Sequence, residues 1–182
     1  MGMMKLMIII AVSAVMIFNI GCSSRLTAKK LSMLRYTQAD ALIEFQDSGE
    51  AFQLHPEALK AWEGMRDSAN LQGVKLQIVS AFRSIERQTE IVESKRKRGL
   101  SDAEIFKVSA RPGYSEHHTG RAIDITTPGF EPLEEEFERS KAYKWLTKNA
   151  NNFGFFLTYP RDNEYGIIYE PWHWCFKSTV IE

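Results

Sequence analysis

The segment SEHHTGRAID, Ser115–Asp124, constrains this chain more than any other. It places two of the four histidines side by side, on what reads as a turn entering a strand, with Asp124 seven residues after His117. His173 lies far along the chain in YEPWHW, Tyr169–Trp174, where Glu170 precedes it. A catalytic zinc takes three protein donors of N, O or S type and leaves a fourth position for water. If these segments form such a site, the fold must bring distant stretches of chain together. Spacing alone does not choose between His117 and His118. His55, directly before Pro56, reads most simply as a surface residue at a helix start.

The second segment makes its own demand. Pro171 removes a backbone donor and keeps Glu170 out of a helix interior. Residues three apart on a regular strand face opposite sides. Glu170 and His173 can therefore serve one site only if the chain bends or bulges near Pro171.

The surrounding pattern mixes helices and strands. Pro56 followed by Ala58, Leu59, Trp62 and Met65 predicts a helix with proline in its first turn. Val74–Val79 alternates as a strand. Ser84 is placed to cap a helix running to about Arg98, and Ser101 with Glu104 forms a capping box before a shorter one. Arg121–Thr126 alternates again, with Ala122, Asp124 and Thr126 on one face. A helix is expected from Glu134 to about Asn151, with Phe137, Tyr143, Trp145 and Leu146 in the core. Phe153–Leu157, Tyr165–Tyr169 and Trp172–Phe176 read as strands. There is no regular βαβ rhythm, which predicts an α+β fold. At 182 residues the chain fits one domain plus a tail.

Net charge is zero, so composition suggests no nucleic-acid partner. The basic run Lys95–Arg98 reads as the solvated end of a helix, where cations suit the dipole. The amino terminus is different. Lys5 precedes an apolar run from Leu6 to Ile20, short for a membrane span and suited to a secretory leader. Gly21-Cys22-Ser23-Ser24 follows, which resembles a bacterial lipoprotein signal, although Asn19 stands where leucine is usual. The resemblance implies a leader over 1–21, a lipidated Cys22, a tether over 22–30 and a folded domain over 31–182. Ser23 leans towards an outer membrane where the cell has two. A myristoylation signal fails at Leu6. With Cys22 acylated, Cys175 has no partner in the chain, and no disulfide framework exists.

Taken together, Ser-x-His-x-x-Gly-x-Ala-x-Asp (Ser115–Asp124) and the distant Glu-Pro-Trp-His-Trp (Glu170–Trp174) resemble the VanY-like zinc D-alanyl-D-alanine carboxypeptidases, with their L,D-carboxypeptidase and dipeptidase relatives. SAFRSIERQ, Ser80–Gln88, resembles that family's Ser-x-Tyr-Arg-Ser segment, with Phe82 in place of tyrosine. The resemblance runs over roughly residues 55–177. It implies a single α+β domain of the Hedgehog/DD-peptidase kind, a small mainly antiparallel sheet flanked by helices and carrying one zinc ion per chain. It makes His117, Asp124 and His173 the ligands and His118 a neighbour. It makes Glu170 the general base, Arg83 the residue beside the scissile carbonyl, and Ser115 and Gln88 substrate contacts. Cys175 stands where the family often has arginine and reads as a small buried residue.

The function so implied is hydrolysis of the C-terminal D-alanine of peptidoglycan stem peptides by a monomer lipid-anchored in the cell envelope, facing the periplasm or the exterior. The rival is a non-catalytic, zinc-stabilised lipoprotein that binds cell-wall peptides, for which Glu170 and Arg83 have no use. A serine hydrolase fails for want of a nucleophile elbow around Ser115.

Overall fold

The structure, a computed structural model, describes residues 34–178. The expected leader, Cys22 and the tether lie outside the described residues. No described helix is long and apolar enough to cross a membrane.

Among the described residues, two antiparallel sheets and four α-helices make up the α+β domain. A hairpin comes first: β1 (Ile43–Asp47) and β2 (Glu50–Leu54) pair across a two-residue turn. Ser48 and Gly49 both sit at positive φ, 50° and 91°, the conformation that a tight right-twisted hairpin needs. The buried Asp47 carboxylate then accepts the Ile78 amide at 3.0 Å and tethers the hairpin to the main sheet. The main sheet has the order β3-β4-β6-β5, from β3 (Gln77–Ser80), β4 (Ala122–Thr126), β5 (Phe155–Leu157) and β6 (His173–Phe176), with every neighbour antiparallel.

The alternation in β4 divides the molecule. Ile123 and Ile125 point into the main core with Trp62, Met65 and Ala69 of α1 (Pro56–Leu71), together with Ile78, Trp145, Leu146 and Trp174. Asp124 falls on the opposite face. That face is walled by α2 (Ile85–Lys97) and by loops; a short α3 (Asp102–Ile105) follows α2.

The caps fall where the sequence places them. Ser84 Oγ accepts the Arg87 amide at 3.0 Å, and Ser101 with Glu104 closes a full capping box. His55 caps α1, its Nδ1 accepting the Glu57 amide at 3.3 Å.

Three expectations need correction. The helix expected over Glu134–Asn151 is broken: a 3₁₀ turn, Glu135–Arg139, precedes α4 (Lys141–Asn149), and a second 3₁₀ turn follows at Ala150–Phe153. Ser140 causes the break, being extended at ψ 158° with its hydroxyl oxygen accepting the Tyr143 amide. Tyr165–Tyr169 is not a strand. Its backbone amides go to scattered partners, Tyr165 to the Asn163 side chain and Ile168 to the Lys107 carbonyl. The strand expected from Val74 begins only at Gln77, because the Val74 amide still closes α1 on Ala69.

Candidate metal centre and pocket

The centre of the main sheet sets the site. Asp124 on β4 lies directly opposite His173 on β6 in an antiparallel register, so the two side chains rise from the same face. His117 comes from the 3₁₀ turn Glu116–Thr119 that feeds β4. Gly120 ends that turn at φ 63°, and its carbonyl accepts the His55 amide at 2.8 Å. A Cβ at Gly120 would lie 2.6 Å from Leu42 Cδ2 and 3.0 Å from the His55 nitrogen, so glycine is required there by conformation and by space.

His117, Asp124 and His173 are all buried, and each offers one donor atom within 4.8 Å of the other two. Their far sides are tied down. His117 Nδ1 lies 2.6 Å from the Ala81 carbonyl and donates to it, leaving the Nε2 lone pair on the Asp124 side at 3.2 Å. His173 Nδ1 faces Asp124 Oδ1 at 3.0 Å, while Nε2 faces Glu116 Oε2 at 3.0 Å. Two imidazole nitrogens, each on a ring oriented by an outer partner, and a carboxylate oxygen match the donor chemistry of zinc and its usual second layer of hydrogen bonds.

Glu116 is the residue that sequence reasoning passed over. It is buried behind His173, and Oε2 also accepts the Thr158 hydroxyl at 2.7 Å. Burial alone would raise its pKa, but the His173 bond and charge outweigh that and lower it. Its position in Ser-Glu-His-His was visible, yet a carboxylate beside a histidine pair gives no local sign of facing a strand from the far end of the chain.

The electrostatics of the cluster favour a cation. Burial works against the Asp124 carboxylate, yet the imidazoles of His117 and His173 hold its pKa well below the ordinary range. Burial disfavours a charged His173, but Asp124 and Glu116 prevail and push its pKa up to about 10. Burial lowers His117. With both flanking carboxylates ionised, this pocket favours positive charge.

Glu170 enters as its sequence context demands. The chain turns over Pro171 and Trp172, and the His173 amide bonds back to the Glu170 carbonyl at 3.2 Å. Both residues thus line one cleft of about 450 Å³ with Arg83, Ser115, His117, Asp124 and Trp172. Burial raises the Glu170 carboxyl to about 7, the range of a group able to exchange a proton near neutrality.

Arg83 is held from three sides. Its guanidinium donates to Ser80 Oγ at 2.8 Å and to Gln88 Oε1 at 3.0 Å, and stands 3.8 Å from Asp124. Gln88 is placed differently from expectation: it is buried behind Arg83, gives its amide to the Ala110 carbonyl at 2.7 Å, and does not line the cleft. Ser115 does line it. His118 has both ring nitrogens engaged away from the cluster, on the Arg83 carbonyl at 2.6 Å and the Gly113 amide at 3.1 Å, and so stands as a neighbour. Cys175 is buried, and desolvation raises its thiol well above the ordinary value, which keeps it neutral.

Comparison with known proteins follows the same outline. The family model described as VanY, D-alanyl-D-alanine carboxypeptidase, matches residues 51–179. YodJ of Bacillus subtilis (strain 168), named for a carboxypeptidase, is 36% identical over 142 residues, covering 74% of this chain and 50% of its own length. A D-alanyl-D-alanine carboxypeptidase of Enterococcus faecalis (strain ATCC 700802 / V583) is 33% identical over 120 residues, 60% of this chain and 43% of that protein. The chain thus spans about half the length of these relatives. Among solved structures, the LD-carboxypeptidase LdcB superposes with a TM-score of 0.68 at 33% identity, over 76% of this chain and 69% of that one. VanYB in complex with D-alanine-D-alanine gives 0.64 at 28% identity, over 82% and 87%. A VanY D,D-pentapeptidase in complex with Zn(II) gives 0.62 at 27% identity, over 82% and 88%.

Proposed function

The chain belongs to the VanY D-alanyl-D-alanine carboxypeptidase family, and from that premise we propose that it is a zinc-dependent carboxypeptidase removing C-terminal D-alanine from peptidoglycan stem peptides. His117 Nε2, an Asp124 oxygen and His173 Nδ1 would hold one zinc ion. When bound, zinc would lower the pKa of a coordinated water towards about 7 and polarise the scissile carbonyl. The solved relative that contains Zn(II) supports this choice of metal.

The rest falls to the chain's own side chains. Glu170 takes a proton from the attacking water and returns it to the leaving amine. Arg83, immobilised by Ser80 and Gln88, donates to the oxygen that gains negative charge. Ser115 contacts the peptide from the cleft wall. Trp172 and Tyr159 line the same cleft and limit water around the reacting groups. A lipid on Cys22 would hold the domain in the cell envelope, beside a cell-wall substrate.

One observation carries this reading. A partly desolvated carboxyl, Glu170, shares a cleft with a three-donor cluster, which a peptide-binding module has no need to build. To test it, the full chain with zinc is incubated with stem pentapeptide and tetrapeptide, and free D-alanine is measured. The reading expects release from one or both, abolished by Glu170→Ala with zinc retained; no release from either peptide refutes it. Release from the pentapeptide marks D,D-specificity, and from the tetrapeptide L,D-specificity.

A further inference from the structure

Lys95 opens the basic run Lys95–Arg98, whose other members lie exposed at the end of α2. Arg96 is ion-paired to Glu93 and Asp102. Lys95 is half-buried instead, and lines the same cleft as His117, Asp124, His173 and Glu170. Its ammonium donates to Ser109 Oγ at 2.6 Å and reaches the Val108 carbonyl at 3.5 Å. An ammonium has three donors, so one is unspent on protein. Among the described residues no carboxylate forms an ion pair with Lys95. The charge of Glu170 acts on Lys95 across the cleft without an ion pair forming, yet burial prevails and lowers the Lys95 pKa.

Placement on α2 indicates what it faces. Gln88, Ile91 and Lys95 follow the i, i+3, i+7 spacing of one helix face. Gln88 holds Arg83 beside Asp124, and Lys95 lies two turns further on, about 10 Å along the axis. Lysine side chains on a helix lean back towards its amino terminus. The ammonium is therefore drawn back along α2 towards Arg83, whose charge acts on it.

We propose that Lys95, steadied by Ser109, is an anion subsite that takes a free carboxylate of the bound peptide. Two carboxylates of a lysine-type stem peptide have this chemistry: the C-terminal one and the α-carboxylate of its glutamate. The subsite deepens the proposed carboxypeptidase reading and rests on it. It adds a charge-reading element on the α2 wall that the zinc ligands, Glu170 and Arg83 do not supply.

The test measures binding without turnover, using the zinc-loaded full chain with Glu170→Ala. Three probes are titrated calorimetrically: N-acetyl-L-Ala-γ-D-Glu-L-Lys-D-Ala-D-Ala, its C-terminal amide, and the form amidated at the glutamate α-carboxylate. Each is titrated with Lys95 native and with Lys95→Met; Lys95→Gln, which keeps a donor for Ser109, replaces it if folding suffers. The proposal expects Lys95→Met to weaken the free-acid peptide about tenfold or more. It expects less than a twofold effect on whichever probe lacks the carboxylate that Lys95 reads, and that probe names the carboxylate. Equal weakening of all three probes, no weakening of any, or no binding to the Lys95 form would overturn it. D-alanine release is scored separately, so a chain that binds with this discrimination but never releases D-alanine defeats the enzymatic reading while leaving the subsite standing.

Discussion

Removing the charge of Glu170 should stabilise the metal-free protein, and by an amount that depends on pH. The partly buried carboxyl is raised from an ordinary 4.5 to about 7. A raised acid binds its proton more tightly folded than unfolded, so its ionisation costs stability. That cost is absent below the unfolded value and complete above the folded one. Each pKa unit corresponds to about 1.4 kcal/mol, giving a penalty of about 3 kcal/mol at pH 8 and little at pH 4.5. Glutamine has nearly the shape of the protonated acid. Urea unfolding of EDTA-treated chain should therefore show Glu170→Gln more stable than the native sequence by about 3 kcal/mol at pH 8, with the gap closing as pH falls through 7 towards 4.5. Zinc should shrink the gap at pH 8, because a bound cation relieves the carboxylate. An equal gap at pH 5 and pH 8, or none at pH 8, would refute the claim that Glu170 is held desolvated.

Other perturbations follow from the same geometry. Glu116→Gln should weaken zinc binding about 10- to 100-fold, as loss of an outer partner of a ligand histidine does; chelator competition measures it. Arg83→Lys keeps the charge but cannot hold both Ser80 and Gln88, so kcat/KM for D-alanine release should fall about 10²- to 10³-fold at full zinc content. Gly120→Ala forces an alanine to φ 63° and a Cβ against the His55 backbone, and should lower stability by about 2–3 kcal/mol in urea unfolding.

What could be read from the residues divides by range. Ser84, Ser101 and Pro56 act within one helical turn, and their caps and starts fall as the sequence implies. The β4 alternation was equally local, and its division of Asp124 from Ile123 and Ile125 places the metal cluster and the core on opposite faces. The bend demanded at Pro171 is present as a turn. The β1–β2 hairpin is marked in the sequence by Ser48-Gly49 between alternating residues. Ser140 looked like a polar residue inside an amphipathic helix, and only the capped Tyr143 amide shows it to be a start. The roles of Glu116, Gln88 and Lys95 depend on partners far away in the chain: His173, the Ala110 carbonyl and Ser109. A single side chain beside a motif carries no sign of such partners.

The central claim is that His117, Asp124 and His173 converge to hold one zinc ion with an open position. A calorimetric zinc titration of the EDTA-treated chain, joined to X-ray absorption at the zinc edge, tests it most directly. One zinc per chain is expected, with a shell of nitrogen and oxygen only and loss of tight binding in Asp124→Ala and in His173→Ala. Sulfur from Cys175 in the shell, or tight binding that survives either substitution, would contradict it.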